Sequence, residues 1–401
     1  MGHEGYIRMA LEAARNPGLV EPNPQVGAVL VRGGRVIARG RHEYFGGPHA
    51  EVNALRKAGR RAQGATLYVS LEPCCTFGKT PPCTDAIIAA KVAHVVIGAP
   101  DPTQKRGVRM LRRAGIRVTT GVLKEEAVRL IAPFYKLSLQ RRPYVIAKWA
   151  MSLDGKIATR SGDSRWISCA ESRRRVHEVR SVMDGIVVGI GTVLADDPML
   201  TARLGEFKTN GVCPYFSKKH WLQATSGTQR KSLLARALAA GKPPYHRIVL
   251  DSRARTPLGS RLVKTAREVK TLIAVTPEAP PRRCRRLAES GCEVVCCRSE
   301  GGRVDIEDLL GMLGRRRLTN LLVEGGSAVL GAFFDAGAVD QAMVFIAPRL
   351  IGGSGAVGAM GGAGAEKVID SLKMMDMKVG RSGEDVVIEG YTREAMEYLR
   401  V

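Results

Sequence analysis

The chain has 401 residues, of which 45% are hydrophobic and 25% are charged. This composition is normal for a globular protein and excludes a chain dominated by disorder, while the length suits two domains. No secretory signal and no apolar run near the ~20 residues of a membrane helix are visible, so we expect a cytoplasmic protein with no membrane partner.

Lys and Arg number 62 against 38 Asp and Glu, which gives a formal net charge of +24. Such a field attracts phosphorylated small molecules and also nucleic acid. The basic runs at 173–175, 282–286 and 315–317 contain no aromatic residues for stacking on bases. We therefore expect phosphorylated small-molecule substrates and no specific nucleic-acid partner.

The first part of the chain alternates helix and strand signals up to a polar stretch at 140–143. Pro143 ends this stretch and disfavours helix at the residue before it, so a first domain is predicted over 1–143. Pro133 is expected to kink or split the helix predicted over 125–140. Helices are predicted over 1–16, 49–58, from 82 to about 90 and over 125–140, and strands over 26–31, 36–38, 66–71 and 92–97.

The pattern restarts after Pro143, and a second domain is predicted over 144–401. Both domains are therefore of the α/β class. Residues 205–245 break the rhythm, and we interpret them as a basic insertion with one helix over 232–240. A helix is predicted near 170–183, and strands are predicted over 144–150, 186–189, 247–251, 271–275, 293–296 and 320–323.

The first domain contains the residue types that a catalytic zinc needs. His49 and Glu51 open a predicted helix, while Cys74 and Cys83 each follow a proline, one at a strand end and one at a helix start. A catalytic zinc takes three protein ligands, leaves a position for water and lowers the pKa of that water. Deamination also requires a carboxylate that is not a ligand and that moves protons. We predict His49, Cys74 and Cys83 as ligands of one zinc per chain and Glu51 as the catalytic residue.

Three alternatives remain open for this site. Cys75 could be the ligand in place of Cys74, since eight residues separate Cys74 from Cys83 where the usual signature has two. The zinc could be structural in a binding protein, although such sites are closed by four ligands. The charge of +24 allows a nucleic-acid base deaminase, which leaves the second domain unexplained.

Residues 21–29 (EPNPQVGAV), 49–51 (HAE) and 71–83, from LEPC to TPPC, form a set. Together they resemble the bifunctional riboflavin-biosynthesis deaminase/reductase family, in which the loop between the two cysteines is longer. The resemblance implies a cytidine-deaminase-like three-layer domain, in which Asn23, His42 and Lys79 line the substrate pocket. Without it, these residues would be interpreted as a turn-capping Asn, a surface His and a solvated Lys.

The chain departs from the family pattern at two places. Cys75 and Thr76 stand where the family commonly has Ser and His, and the stretch at 101–104 is shorter than usual. Neither departure removes a predicted zinc ligand or Glu51. We therefore expect the two departures to change contacts to the substrate and to leave the zinc site intact.

The second domain has no G-x-G-x-x-G at a helix start, which argues against a Rossmann fold. Residues 151–158, 189–198 and 323–327 resemble, in this order, the reductase half of the same family, whose fold is similar to dihydrofolate reductase. The glycines at 325–326 could hold a pyrophosphate at a helix start or form only a tight turn. The implied architecture is a dihydrofolate-reductase-like α/β domain with NADPH as cofactor.

The resemblance also implies the binding residues of this domain. Arg180 and Arg203 have forked donors that suit phosphate, and a carboxylate can fix sugar hydroxyls. Arg253 or Arg255 could hold the 2′-phosphate of NADPH or belong to an exposed loop. The implied contacts to the ribosyl-phosphate substrate are Ser164, Arg180, Leu200, Arg203 and Glu324. The implied contacts to NADPH are Ala150, Trp166, Thr192, Asp196, Ser252, Gly326, Ser327, Ala328, Val329, Leu330, Gly331 and Ala332.

Two successive reactions follow from the resemblance. The first domain would hydrolytically deaminate 2,5-diamino-6-ribosylamino-4(3H)-pyrimidinone 5′-phosphate. The second would use NADPH to reduce the ribosyl group to ribityl, giving 5-amino-6-ribitylaminouracil 5′-phosphate. No side chain is nominated as the proton donor of the reduction. We also expect a homo-oligomer, with no subunit number indicated.

Overall fold

The computed structural model describes residues 1–15, 18–104, 106–202 and 245–400. The chain divides into two compact units, of which the first holds Met1–Arg141 and the second begins at Arg142. The insertion predicted at 205–245 lies outside the described residues except for Tyr245, and the helix predicted over 232–240 lies wholly outside them.

The first unit is built on one mixed sheet, whose strand order is β2-β1-β3-β4-β5. Strand β1 is antiparallel to β2 and β3, while β3, β4 and β5 are parallel. The strands are β1 (Gly27–Arg32), β2 (Arg35–Arg41), β3 (Thr66–Leu71), β4 (His94–Ala99) and β5 (Arg117–Thr119). The helices are α1 (His3–Ala14), α2 (Ala50–Ala58), α3 (Cys83–Ala89), α4 (Gly107–Arg113), α5 (Lys124–Leu130) and α6 (Ala132–Gln140).

The central strands of this sheet are covered on both faces. Every residue of β4 is buried, and so is every residue of β3 except Thr66. Parallel strands buried on both faces require a layer of helices on each face. Helix α1 packs on β1 and β3, and α2 packs on β1 and β2. The unit therefore has the three-layer α/β arrangement expected from the sequence.

Helix α2 approaches β2 with no side chain between the two backbones. A Cβ on Gly40 would lie 2.2 Å from the carbonyl oxygen of Ala50 and 2.4 Å from the amide nitrogen of Ala54. Only glycine allows such an approach. The start of α2 is therefore fixed against the sheet, together with His49 just before it and Glu51 in its first turn.

The second unit contains a larger sheet with strand order β11-β10-β9-β8-β14-β6-β15-β18-β17. Neighbours from β11 to β15 are parallel, and β18 and β17 add antiparallel pairs. The strands are β6 (Tyr144–Ser152), β7 (Lys156–Ala158), β8 (Gly185–Gly189), β9 (His246–Leu250), β10 (Thr271–Val275), β11 (Glu293–Cys296), β12 (Ser299–Glu300), β13 (Arg303–Val304), β14 (Asn320–Val323), β15 (Gln341–Ala347), β16 (Val357–Gly358), β17 (Met375–Ser382) and β18 (Asp385–Tyr391).

The helices of this unit connect the parallel strands and cover a core of aliphatic residues around β8, β9, β10 and β14. Ligands of open α/β sheets bind outside the carboxyl ends of the strands, and β6, β8, β9 and β14 all end at one such edge. The helices are α7 (Ala170–Arg180), α8 (Ile190–Asp196), α9 (Arg261–Lys264), α10 (Pro281–Glu289), α11 (Ile306–Arg315), α12 (Ser327–Asp335) and α13 (Arg393–Leu399).

Most predicted elements are present with ends shifted by a few residues. The helix predicted over 125–140 is split into α5 and α6, and Pro133 lies in the first turn of α6, where a missing backbone donor costs little. The prediction missed β15, β17 and β18. Most residues of β17 are exposed and show no buried apolar alternation, whereas β15 is a buried apolar strand that the sequence pattern could have indicated.

Candidate active sites

Three separate elements bring the predicted metal ligands together. His49 directly precedes α2, Cys74 lies shortly after β3, and Cys83 is the first residue of α3. Their ligand atoms all lie within 4.8 Å of one another. The Nδ1 atom of His49 is 3.1 Å from the sulfur of Cys83 and 3.4 Å from the sulfur of Cys74. One imidazole and two thiols form the donor set of a catalytic zinc site.

The surroundings of this cluster lower the pKa of Cys74 and raise the pKa of the neighbouring Glu51. Hydrogen bonding with Cys83 and His49 lowers the pKa of Cys74 to about 4. Glu51 is buried, with 3% of its surface exposed, and burial raises its pKa while the charge of His49 opposes the shift. Glu51 is therefore placed beside the cluster as a carboxyl group shielded from water.

Cys75 faces a different partner from Cys74. Its thiol and its amide both donate to Oε1 of Gln104, at 3.2 and 3.1 Å, and Gln104 Nε2 donates to Asp101 at 2.8 Å. The cluster of ligand atoms contains Cys74 and does not contain Cys75. The two departures from the family pattern are thus in contact, since the short stretch at 101–104 supplies the partner of Cys75.

Two of the three residues predicted beside the zinc lie next to His49. The His42 ring packs edge-on against the His49 ring at 5.4 Å, and His42 Nε2 is 3.3 Å from Asn23 Nδ2. His42 is buried, and burial lowers its pKa to about 4, so its interpretation as a surface residue is wrong. Lys79 is exposed and lies over the Phe45 ring at 5.3 Å.

Sequence reasoning missed Thr80, which contacts the opposite side of the His49 ring. Its Oγ1 lies 3.3 Å from His49 Nε2, whereas Nδ1 faces the two sulfur atoms. A hydrogen bond to the second ring nitrogen fixes the orientation of a metal-ligating histidine. The signal was available, because Thr80 belongs to the TPPC motif.

The second site is centred on the buried carboxylate of Glu324, directly after β14. Arg180, at the end of α7, donates two hydrogen bonds to it, Nε to Oε1 at 2.6 Å and a terminal nitrogen to Oε2 at 2.7 Å. The Nζ atom of Lys148 is 3.7 Å from Oε2. Burial opposes ionisation, but the charges of Arg180 and Lys148 lower the pKa of Glu324 to about 2. The sequence interpretation missed Lys148, although a lysine within the apolar strand 144–150 was a signal.

Arg180 and Glu324 were predicted as separate contacts to the substrate, and the structure shows that they also bind each other. The Nε side of the Arg180 fork is occupied by Glu324. Leu200 is buried at 3% exposure, and Ser164 is half-buried. Arg203 lies outside the described residues.

Predicted NADPH contacts lie at the carboxyl edge of the same sheet. Gly326 caps the start of α12, and a Cβ there would meet only the hydroxyl of Thr192 within 4 Å among the described residues, at 3.9 Å. Open space at the start of a helix suits a pyrophosphate. The hydroxyl of Ser252, after β9, accepts a hydrogen bond from the Val304 amide at 3.2 Å.

The remaining predicted NADPH contacts lie on the neighbouring elements. Asp196 ends α8 and accepts a hydrogen bond from Arg165 at 3.2 Å. Trp166 is 62% exposed, and the Arg173 guanidinium lies over its ring at 4.5 Å. Ala150 lies near the end of β6, and the run Ser327, Ala328, Val329, Leu330, Gly331 and Ala332 forms the first part of α12.

Both units match models of known protein families. A model described as the cytidine and deoxycytidylate deaminase zinc-binding region matches residues 1–99, and one described as the RibD C-terminal domain matches residues 143–388. The riboflavin biosynthesis protein RibD of Actinobacillus pleuropneumoniae is 38% identical over 388 residues, which cover 96% of this chain and 94% of the relative. The chain belongs to the RibD family.

Other members support this result. RibD of Escherichia coli strain K12 is 36% identical and covers 97% of this chain and 99% of the relative. Acinetobacter baumannii RibD in its form 1 has a TM-score of 0.79 at 31% identity, covering 97% of this chain and 98% of that one. A diaminohydroxyphosphoribosylaminopyrimidine deaminase/5-amino-6-(5-phosphoribosylamino)uracil reductase from Thermotoga maritima has a TM-score of 0.76 at 34% identity, with the same coverage.

Membership of the RibD family confirms the predicted fold and function. The chain is a bifunctional enzyme of riboflavin biosynthesis that joins a zinc-dependent deaminase to a reductase, with Zn²⁺ and NADPH as cofactors. The RibD relatives match the chain over both units. The alternative of a nucleic-acid base deaminase would leave the second unit unexplained.

We predict that Gln104→Leu weakens zinc binding by at most about tenfold, the lower end for residues that hydrogen-bond to ligands, because Gln104 acts on Cys74 only through its neighbour Cys75. The change leaves the Cys75 amide and thiol without their acceptor next to Cys74. The measurement is zinc retained by the folded protein against increasing chelator, and the exposed Gln63→Leu serves as control. Equal retention in both variants would contradict the role of Gln104.

Proposed function

We propose that the N-terminal site deaminates 2,5-diamino-6-ribosylamino-4(3H)-pyrimidinone 5′-phosphate. The second site then reduces the ribosyl group of the product to ribityl. The deaminase domain spans 1–143 and the reductase domain spans 144–401. The observation that carries the proposal is buried Glu51 beside a cluster of three ligand atoms, in a chain whose second unit holds the buried Glu324–Arg180 pair. The activities named for the Thermotoga maritima relative support the same substrates.

The donor set at the first site fits zinc, and His49, Cys74 and Cys83 would hold it. Bound there, zinc lowers the pKa of water and so supplies a nucleophile near neutral pH. Glu51 accepts a proton from the attacking water and transfers it to the amino group that leaves as ammonia. Asn23 and His42, which contact each other beside His49, orient the pyrimidine ring, and Lys79 extends the pocket toward the phosphate.

The second site fits NADPH on the observation that the start of α12 is open in front of Gly326. The backbone amides there would bind the pyrophosphate, with Thr192 beside them. NADPH supplies the hydride for the reduction. Glu324 accepts hydrogen bonds from the sugar hydroxyls, and Arg180 holds Glu324 ionised while its remaining donors face the phosphate. Ser164, Leu200 and Arg203 complete the substrate contacts.

We further propose a homo-oligomer that works in the cytoplasm on small molecules. No helix in the described part of the chain has the length and apolar character to cross a bilayer. Every cysteine that the structure describes is free, which suits a reducing compartment. The last strand of the second sheet, β17, exposes Met377 (53%) and Val379 (69%), and an unpaired edge of this kind favours association.

We predict that Glu51→Gln abolishes deamination and keeps zinc, because the amide cannot transfer the proton and the three ligands are unchanged. Ammonia release and zinc content are measured on the same sample. The reduction of substrate that has already been deaminated is the internal control and should be unaffected. Normal ammonia release would exclude the role of Glu51.

The decisive experiment for the whole function identifies products by mass. The purified protein is incubated with the diaminopyrimidinone phosphate, with and without NADPH. Without NADPH we expect replacement of the amino group by oxygen, and with NADPH the further gain of two hydrogens. If the substrate remains unchanged under both conditions, the assignment fails.

The oligomer proposal predicts that Val379→Lys reduces the mass of the particle, because a charge on the edge strand opposes pairing. Light scattering after size exclusion measures the mass. The control is Leu139→Lys, which places the same charge on an exposed leucine of α6. A wild-type protein that is already monomeric would refute the proposal.

A further inference from the structure

Three consecutive backbone carbonyls after α8 are each bound by a side chain from elsewhere in the second unit. The carbonyl of Met199 accepts a hydrogen bond from the Arg247 guanidinium at 3.3 Å. The carbonyl of Leu200 accepts one from the Tyr245 hydroxyl, and that of Thr201 accepts one from His177 Nδ1 at 3.2 Å. We call the segment Met199, Leu200 and Thr201 the Leu200 turn. Its backbone is therefore fixed by side chains of α7 and β9 and by the residue preceding β9.

The Leu200 turn has a conformation that it would not adopt without such support. Leu200 has a φ of 48°, in the left-handed region that residues with a Cβ disfavour. It is nevertheless almost fully buried, at 3% exposure. Strained positions of this kind persist where the surroundings hold them, and they concentrate at ligand sites. The strain therefore points to a need for this conformation beyond chain connection.

Arg247 provides a rigid anchor for the turn. Its side chain is fully buried, and its other hydrogen bonds go to the hydroxyls of Thr265 and Thr271 and to the carbonyls of Leu262 and Val269. A guanidinium with this many fixed partners has little freedom to move. The Met199 carbonyl is thus attached to the core of the domain.

The other two donors lie beside the predicted substrate contacts. His177 precedes Arg180 by three residues on α7, so both side chains lie on the same face of that helix. His177 adds to the effect of Arg180 and Lys148 in lowering the pKa of Glu324 against burial. Burial raises the pKa of Tyr245, on which the charges of Arg180 and Glu324 act in opposite directions. Tyr245 is therefore close to both members of that ion pair.

We propose that Tyr245 is a positioning residue of the reductase, which together with His177 and Arg247 holds the Leu200 turn so that Leu200 contacts the ribosyl-phosphate substrate. This inference rests on the proposed function, in which Leu200 binds that substrate. Tyr245 does not touch the substrate, and its effect passes through the backbone of Leu200. Loss of its hydroxyl therefore weakens substrate binding and leaves the hydride transfer step intact.

The main test is Tyr245→Phe, which removes only the hydroxyl. We expect KM for the deaminated substrate to rise up to about tenfold, because the unpaired carbonyl lets the turn leave the conformation that contacts substrate, and substrate binding must restore it. KM for NADPH, kcat and the deaminase rate stay unchanged. Tyr144→Phe is the matched control, since its buried hydroxyl donates to Gln341 at 3.1 Å in the same sheet, and it should leave every constant unchanged.

A double-mutant cycle shows whether Tyr245 acts through Leu200. Leu200→Ala should raise KM by itself, and adding Tyr245→Phe should raise it no further, because the contact that Tyr245 positions is already gone. Independent effects that multiply in the double variant would overturn the proposal. A Tyr245→Phe enzyme with wild-type KM would overturn it as well.

The Thr201 carbonyl gives a second test that does not depend on Tyr245. His177→Asn keeps a donor near the position of Nδ1 and should retain the wild-type KM, whereas His177→Ala should raise it. Equal KM values in these two variants would contradict the positioning role. The proposed function fails separately, if the wild-type protein reduces no substrate. An unchanged KM in Leu200→Ala excludes Leu200 as a substrate contact and overturns the positioning proposal alone.

Discussion

The reductase site depends on the neutralisation of one buried carboxylate. Glu324 directly follows the central strand β14, and both of its oxygens are bound by Arg180 while the Lys148 Nζ atom lies 3.7 Å from Oε2. A buried charge is tolerated only when its partners are close and well aligned, and removing one partner costs about 3–5 kcal/mol. This requirement fixes the end of α7, the middle of β6 and the end of β14 relative to one another. The glycine-rich start of α12 follows two residues later, so the proposed cofactor site is placed by the same ion pair.

The deaminase site is held by backbone packing instead of charge. Gly40 lets α2 lie directly on β2, and this contact places His49 and Glu51 at the start of the helix. The two cysteines come from the loop after β3 and from the start of α3, where backbone amides stabilise a thiolate. A metal with three ligands needs all of them within a few ångströms, and the packing of α2 on β2 fixes the position of His49 relative to the sheet.

The sequence could predict the deaminase site more completely than the reductase site. His49, Glu51 and the two cysteines belong to short motifs whose residue types carry the chemistry, but spacing left Cys74 and Cys75 as alternatives. The contact of Cys75 with Gln104 distinguishes them, and it joins residues that are 29 positions apart. Lys148 lies in an ordinary strand pattern and Tyr245 at the end of the predicted insertion, and both acquire a role only through tertiary contacts, which periodicity does not report.

The net charge of the chain has a local counterpart at the reductase site. Lys148 and Arg180 both face the carboxylate of Glu324, so two basic groups surround one acidic group; burial lowers the pKa of Lys148, and the charge of Glu324 opposes that shift. In surroundings that exclude water, one uncompensated cation attracts an anion more strongly than many solvated surface charges. A phosphorylated substrate supplies the missing negative charge, whereas a neutral riboside would leave the cation unpaired. We therefore expect the ion pair itself, more than the diffuse charge of +24, to favour phosphorylated compounds.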